Sequence, residues 1–186
     1  MRISYRAELA LILACSSLAA FAAGGYLVYR GIHNDTLKHY SRYYSESVEA
    51  FTSEIDPSEH HRIALLEQDD RKNDPIFKEY SLKMQNLGRT GGFGFMHSAI
   101  DTGTSLNYIL TYPTDKEDYM DVSARLLLDA MGGQSASEYV ASTGYYNYYT
   151  PILSEDGLKV TCAIGGGFDF GPLLKSHQAT FAKTYR

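Results

Sequence analysis

Tryptophan is absent from the 186 residues, cysteine occurs only twice, and lysine and arginine form no dense cluster. Each shortage narrows the reading. Without a basic face there is no footprint for a nucleic-acid backbone, and a net charge of −5 points the same way. Cys15 falls in an apolar segment and Cys162 on a predicted buried strand, so a bond between them is implausible. A core of this size does not need disulfides, and their absence fits either redox compartment.

Chemistry-bearing motifs are equally scarce. The chain has no HExxH, no paired CxxC, no aspartate-rich calcium loop, no GxSxG and no SxxK. Gly91-Gly92-Phe93-Gly94 precedes a strand, the wrong order for a helix N-terminus to meet an anion. Gly165 to Gly171 follows a strand but lacks the GxGxxG spacing, and Asp169 would repel phosphate. His60 and His61 would point about 100° apart on a helix and could not easily share a metal. His97 reads as a hydrogen-bonded structural histidine among aromatics, and Cys162 is far from any helix N-terminus that would favour a thiolate. No catalytic residue, metal ligand or cofactor follows, and an enzyme is not expected. A hydrolase with a dispersed triad stands a distant third.

What the chain does have is tyrosine, sixteen in all, and one long uncharged run. Residues 9–29, LALILACSSLAAFAAGGYLVY, would make a helix of about 31 Å, the hydrocarbon thickness of a bilayer. Arg2 and Arg6 flank one end and Arg30 the other, with Tyr26 and Tyr29 where interfacial aromatics belong. The apolar run continues past every small-residue cleavage site, which favours an uncleaved signal anchor over a signal peptide. Basic residues nearly tie across the span. A short basic N-terminus usually stays inside, so residues 1–8 are placed in the cytoplasm and 30–186 outside it. Ser16, Ala20 and Gly24 form a small-residue ridge suited to helix pairing, or merely belong to an alanine-rich span.

Leu37, Tyr40, Tyr44, Val48, Phe51 and Ile55 recur every three or four residues and predict a stalk helix over 34–55, with Asn34 or Asp35 as its cap. Asp56-Pro57 starts a second helix with Ile63, Leu65 and Leu66 on its apolar side. Residues 67–74 read as a solvated loop. Asp74-Pro75 restarts a helix that Gly88 stops. Phe93, Phe95, His97 and Ala99 alternate, 101–104 turns, and Leu106 to Tyr112 returns, a hairpin. Residues 115–121 read as a polar loop, 122–131 as a helix, and a serine-rich connector follows. Tyr145 to Leu153 and Leu158 to Ile164 make a second hairpin around Ser154–Gly157. Leu158, Val160, Cys162 and Ile164 share one face, and the glycines after them lead to a last helix over 172–184. Antiparallel pairs separated by helices make an α+β domain.

Three passages resemble the extracytoplasmic PAS-like sensor domains called Cache domains, found in bacterial chemoreceptors, sensor kinases and diguanylate cyclases. Ile55 to Ile63 is similar to the short helix after the stalk, and 74–87 to the helix after it. Tyr149-Thr150-Pro151-Ile152 with Asp156-Gly157 is similar to the Y-x-P-I…D-G hairpin. Ile164 to Phe170 resembles the final strand end, with Asp169 in the aspartate's place. Gly144-Tyr145-Tyr146 departs from the usual Trp-Gly pair, and the amino-acid-binding signature is not visible. The resemblance implies a transmembrane helix running into a stalk, then a five-stranded antiparallel sheet, order 2-1-5-4-3, flanked by helices.

It also implies a sensor that binds a small ligand or a protein partner and relays binding through the stalk helix. A pocket is expected over the sheet, between the first and last hairpins. Tyr108, Tyr146, Tyr148 and Asp169 are its candidate residues; as core-edge tyrosines and a capping aspartate they would need no ligand. Other partners are membrane lipid at 9–29 and a homodimer or larger membrane complex. The alternative is an accessory subunit that uses the same fold as a docking surface.

Overall fold

The computed structural model describes residues 5–103, 105–113, 124–173 and 175–176. It divides into two compact units, one containing the chain up to His39 and residues after Leu173, the other Tyr40–Leu173. Helix α1, Tyr5–Ser53, is a single uninterrupted element. The expected cap at Asn34 or Asp35 is therefore corrected: both lie inside the helix, where backbone donors already have partners four residues back.

In the first unit the side chains of Leu11, Ile12, Leu13, Leu18, Phe21 and Leu27 are all more than half exposed. The helix is long and apolar enough to cross a membrane. Apolar surface of this extent on a helix demands a partner other than water.

In the second unit α1 turns amphipathic. Tyr44, Val48 and Phe51 are buried, followed by Ile55, while Arg42 and Glu46 pair outward at 2.8 Å. Helix α2 is Pro57–Ala64, capped by Asp56, whose carboxylate accepts from Ser58 N at 2.8 Å and Glu59 N at 3.1 Å. Residues 67–74 are not a loop. Gln68–Asn73 is a short helix, α3, with Asp69 and Asp70 in its first turn and Arg71 and Lys72 in its last, which suits the helix dipole. Its Arg71 donates to the carbonyls of Ile63 and Ala64 at 3.0 Å and of Leu66 at 2.9 Å, closing the end of α2. Helix α4, Pro75–Gly91, is capped by Asp74 and runs past Gly88 to Gly92, which has φ of 73°. Gly88 is there for space: a Cβ would collide with the Tyr112 ring.

Five strands follow: β1 Phe93–Asp101, β2 Leu106–Tyr112, β3 Ala136–Val140, β4 Tyr145–Leu153 and β5 Val160–Asp169, with α5, Ala124–Met131, between β2 and β3. They form one antiparallel sheet in the order β2-β1-β5-β4-β3, the order the resemblance implies. Both hairpins form. The serine-rich connector supplies the edge strand β3 that periodicity did not reveal. The expected loop 115–121 and most of the expected last helix lie outside the described residues.

Two details of β5 correct the sequence reading. Leu158 sits in the turn, 82% exposed, and the strand starts at Val160. The glycines belong to the strand, which continues through Gly165, Gly166 and Gly167 to Asp169. As the central strand, β5 has Cys162, Ala163 and Ile164 all buried, so both its faces are covered. On one face Tyr44 of α1 stacks on Phe168 at 3.7 Å, and His60 of α2 bonds Ser98 of β1. On the other, Leu126, Leu127 and Ala130 of α5 pack on Ala99, Tyr149 and Ala163.

Candidate functional site

Side chains alternate across a strand, and paired residues of an antiparallel sheet share a face. Asn147 lies opposite Gly167, and Tyr149 opposite Gly165. On the other side of β5, Phe95 lies opposite Gly167 and His97 opposite Gly165. On this face the central strand carries no side chain at either position, and its neighbours lean over the bare backbone. A Cβ at Gly167 would stand 2.6 Å from both Asn147 Oδ1 and Phe95 Cζ. At Gly165 it would meet Tyr149 Cδ1 at 2.6 Å. The result is a glycine-floored row, here called the trough, whose space is filled by the buried side chains of Phe95 and His97 on β1 and of Asn147 and Tyr149 on β4.

Most of the walls are mutually satisfied. Tyr149 Oη and His97 Nε2 are 3.0 Å apart, and Phe95 and His97 stack with centroids at 5.8 Å. Burial holds the His97 imidazole neutral, with its pKa pushed down to about 4. Asn147 is the exception. It is fully buried, and neither Nδ2 nor Oδ1 has a hydrogen-bond partner among the described residues. A buried amide left unpaired costs about 1–3 kcal/mol, so such a group draws in a ligand or water that can both donate and accept. Tyr145 and Asp169 continue the face one row further along, and the Tyr145 ring lies 5.9 Å from Phe95.

The four sequence candidates are split between the two faces. Asp169 is on the trough face, where Oδ1 accepts from Gly171 N at 2.7 Å, a capping contact at the chain's exit from β5. Tyr108 shares that face at its far end, edge-on to His97 at 4.9 Å and packed among the α5 residues. Tyr146 and Tyr148 point to the opposite face. Tyr146 packs on Phe170 at 6.0 Å with Ser137 beside its hydroxyl, and Tyr148 donates to Glu49 Oε1 of α1. Burial, reinforced by Glu49, raises the Tyr148 hydroxyl above its ordinary pKa.

Sequence reasoning passed over Asn147, Phe95, Tyr145 and the glycine floor. Signals existed for two of these. Asparagine is a poor strand former, so one inside an aromatic β-run marks a position kept for something other than propensity. Glycine inside a strand marks close approach of other groups.

A separate concavity of about 400 Å³ lies between α2 and the β4–β5 turn, lined by Pro57, Ser58, His61, Ser154, Asp156 and Thr161 among others. Its hydroxyls are already engaged: Ser58 on Asp56 at 2.6 Å, Ser154 on Asp156 at 2.5 Å and Thr161 on the Ile152 carbonyl at 3.0 Å. Among the described residues no cluster of three or more His, Cys, Asp or Glu side chains could hold a metal.

No protein-family model and no curated protein matches the chain. Among solved structures, the ligand-binding domain of an amino-acid chemoreceptor of Pseudomonas aeruginosa PAO1, in complex with GABA, is similar at TM-score 0.47 and 15% identity, over 86% of this chain. The chain spans 63% of the length of that solved domain.

Proposed function

We propose that the chain is a membrane-anchored extracytoplasmic sensory domain of the Cache type that binds a small polar molecule in the glycine-floored trough. Residues 9–29 anchor it in a bacterial inner membrane, 1–8 stay inside, and 30–186 carry the sensor. The observation that supports ligand binding most strongly is the buried, unpartnered amide of Asn147 above Gly167. A ligand that offers one acceptor and one donor satisfies both ends of that amide. Phe95 and Tyr145 supply the aromatic wall, and the Asp169 carboxylate on the same face favours a ligand with a cationic or donor group. Output passes through α1, whose buried residues Tyr44, Val48 and Phe51 ride on the sheet and whose apolar segment belongs to the same unbroken helix.

The test is thermal unfolding of the full-length protein in nanodiscs against a library of small polar metabolites. A ligand at a hundred times its dissociation constant adds about 2.7 kcal/mol of stability. At least one saturable shift is expected; a flat response across a broad library contradicts the reading.

A further inference from the structure

Helix α2 is lightly held. Of its eight residues only His60, Ile63 and Ala64 are buried. Among the described residues its one hydrogen bond to the sheet joins His60 Nε2 to Ser98 Oγ at 2.9 Å. Its other ties run to α4: the backbone of its cap, Asp56 N, donates to Tyr80 Oη at 3.0 Å, and Arg62 pairs with Asp74 at 2.7 Å. Helix α3 buries no residue and is fastened to α2 by Arg71, so the two can move as one piece.

Ser98 Oγ also accepts from Leu110 N at 3.2 Å, where the pairing of β1 with β2 slips by a residue. The fully buried imidazole thus sits against a hydroxyl already in use, and its Nδ1 has no partner among the described residues. A neutral ring bonds at Nε2 and leaves one dry nitrogen. A protonated ring carries two donors, and the second is a charged N–H with nothing to accept it. Burying such a cation is costly. His61 and Arg71, the neighbours whose charge acts on the ring, oppose a positive charge there, and no carboxylate is among them.

Water is the way out, and the two buried histidines reach it differently. His97 sits on β1 among Phe95, Tyr108 and Tyr149, so its exposure requires the sheet core to open. Exposure of His60 requires only that one short helix leave, the smaller of the two openings.

We propose that α2 and α3 form an acid-released flap: when His60 takes up a proton, its ring leaves Ser98 for water and both helices lift from the sheet. Release removes the Pro57, Ser58 and His61 wall of the concavity beside the β4–β5 turn and bares Ile63. The domain then presents one surface at neutral pH and another in acid.

The test follows hydrogen exchange of backbone amides 60–66 in the full-length protein in nanodiscs, as protection relative to the unfolded chain at each pH. With the ring titrating at about 4 in the closed flap and at 6.5 in the open one, protection should fall about twentyfold from pH 7 to 5. At pH 5 it should lie below that of amides 95–100 in β1. His60→Gln should abolish the fall, and His97→Gln should leave it. Protection of 60–66 that is constant between pH 7 and 5, or equal to that of 95–100 at every pH, overturns the flap. So does a fall that His97→Gln reduces as much as His60→Gln. The comparison of 60–66 with 95–100 uses the unaltered protein, so it decides even if His60→Gln does not fold.

Discussion

The Tyr149 hydroxyl meets His97 Nε2 at 3.0 Å across the strand that carries Gly165. The contact exists because position 165 has no side chain. A Cβ there would stand 2.6 Å from Tyr149 Cδ1 and 2.8 Å from Tyr149 Cα, so the backbone of β4 would have to move. Gly165→Ala should therefore cost about 3 kcal/mol, at the upper end of overpacking. Gly31→Ala, where nothing lies within 4 Å, should cost nothing. Thermal unfolding of the two variants checks the contrast, and equal stability would contradict it.

Acid should weaken the fold through two histidines. Both His60 and His97 are pushed down from 6.5 to about 4, His97 by burial and His60 by burial with lesser help from His61 and Arg71. Between those values the unfolded chain binds more protons than the folded one. Stability therefore falls as pH drops from about 6.5 to about 4, by up to about 3 kcal/mol for each histidine, and these two groups contribute no slope above that window. His60→Gln and His97→Gln keep a polar group towards Ser98 and Tyr149 and should flatten the acid limb. An unchanged limb in the double variant contradicts the assignment.

Helix caps carry stability that the apolar core does not supply. Asp74 accepts from Ile76 N at 2.9 Å and Phe77 N at 3.2 Å, and also receives both ends of the Arg62 guanidinium. Asp74→Ala should lower stability by about 1–2 kcal/mol. Arg62→Ala should cost less, because the guanidinium side of that pair is open to solvent. Chemical denaturation at neutral pH separates the two, and the reverse order would contradict the capping role.

Asn147 offers a sign test. If its orphan amide is kept for a ligand, replacement by an apolar residue of similar volume removes a desolvation penalty. Asn147→Leu should unfold at the same temperature as the parent or higher in the absence of ligand. A marked loss of stability would show that the amide has a structural partner.

The legible parts of this fold were those written in local chemistry. Asp56-Pro57 and Asp74-Pro75 announced capped helices, the 3-4 spacing from Leu37 to Ile55 announced α1, and the Tyr145–Leu153 run announced β4. What stayed hidden depends on contacts distant in sequence. Helix α3 is stabilised by Arg71 reaching back to α2, which no composition rule for 67–74 reveals. Strand β3 is a short edge strand whose pairing with β4 makes it a strand at all. The candidate tyrosines were chosen for residue type, and strand parity then split them: Tyr146 and Tyr148 face α1, while Asp169 and Tyr108 face the trough. Parity between β4 and β5 requires the register, and the register requires knowing that Gly165–Gly167 lie inside a strand.

The central claim is that the trough at Asn147 holds the ligand. Its most direct test is calorimetric titration of a hit from the metabolite screen into full-length protein in nanodiscs. The parent, Asn147→Leu and His61→Ala, which alters the separate concavity, are compared. Binding retained by His61→Ala and lost in Asn147→Leu is the predicted result. Binding that survives Asn147→Leu and disappears with His61→Ala would move the site off the sheet and contradict the account.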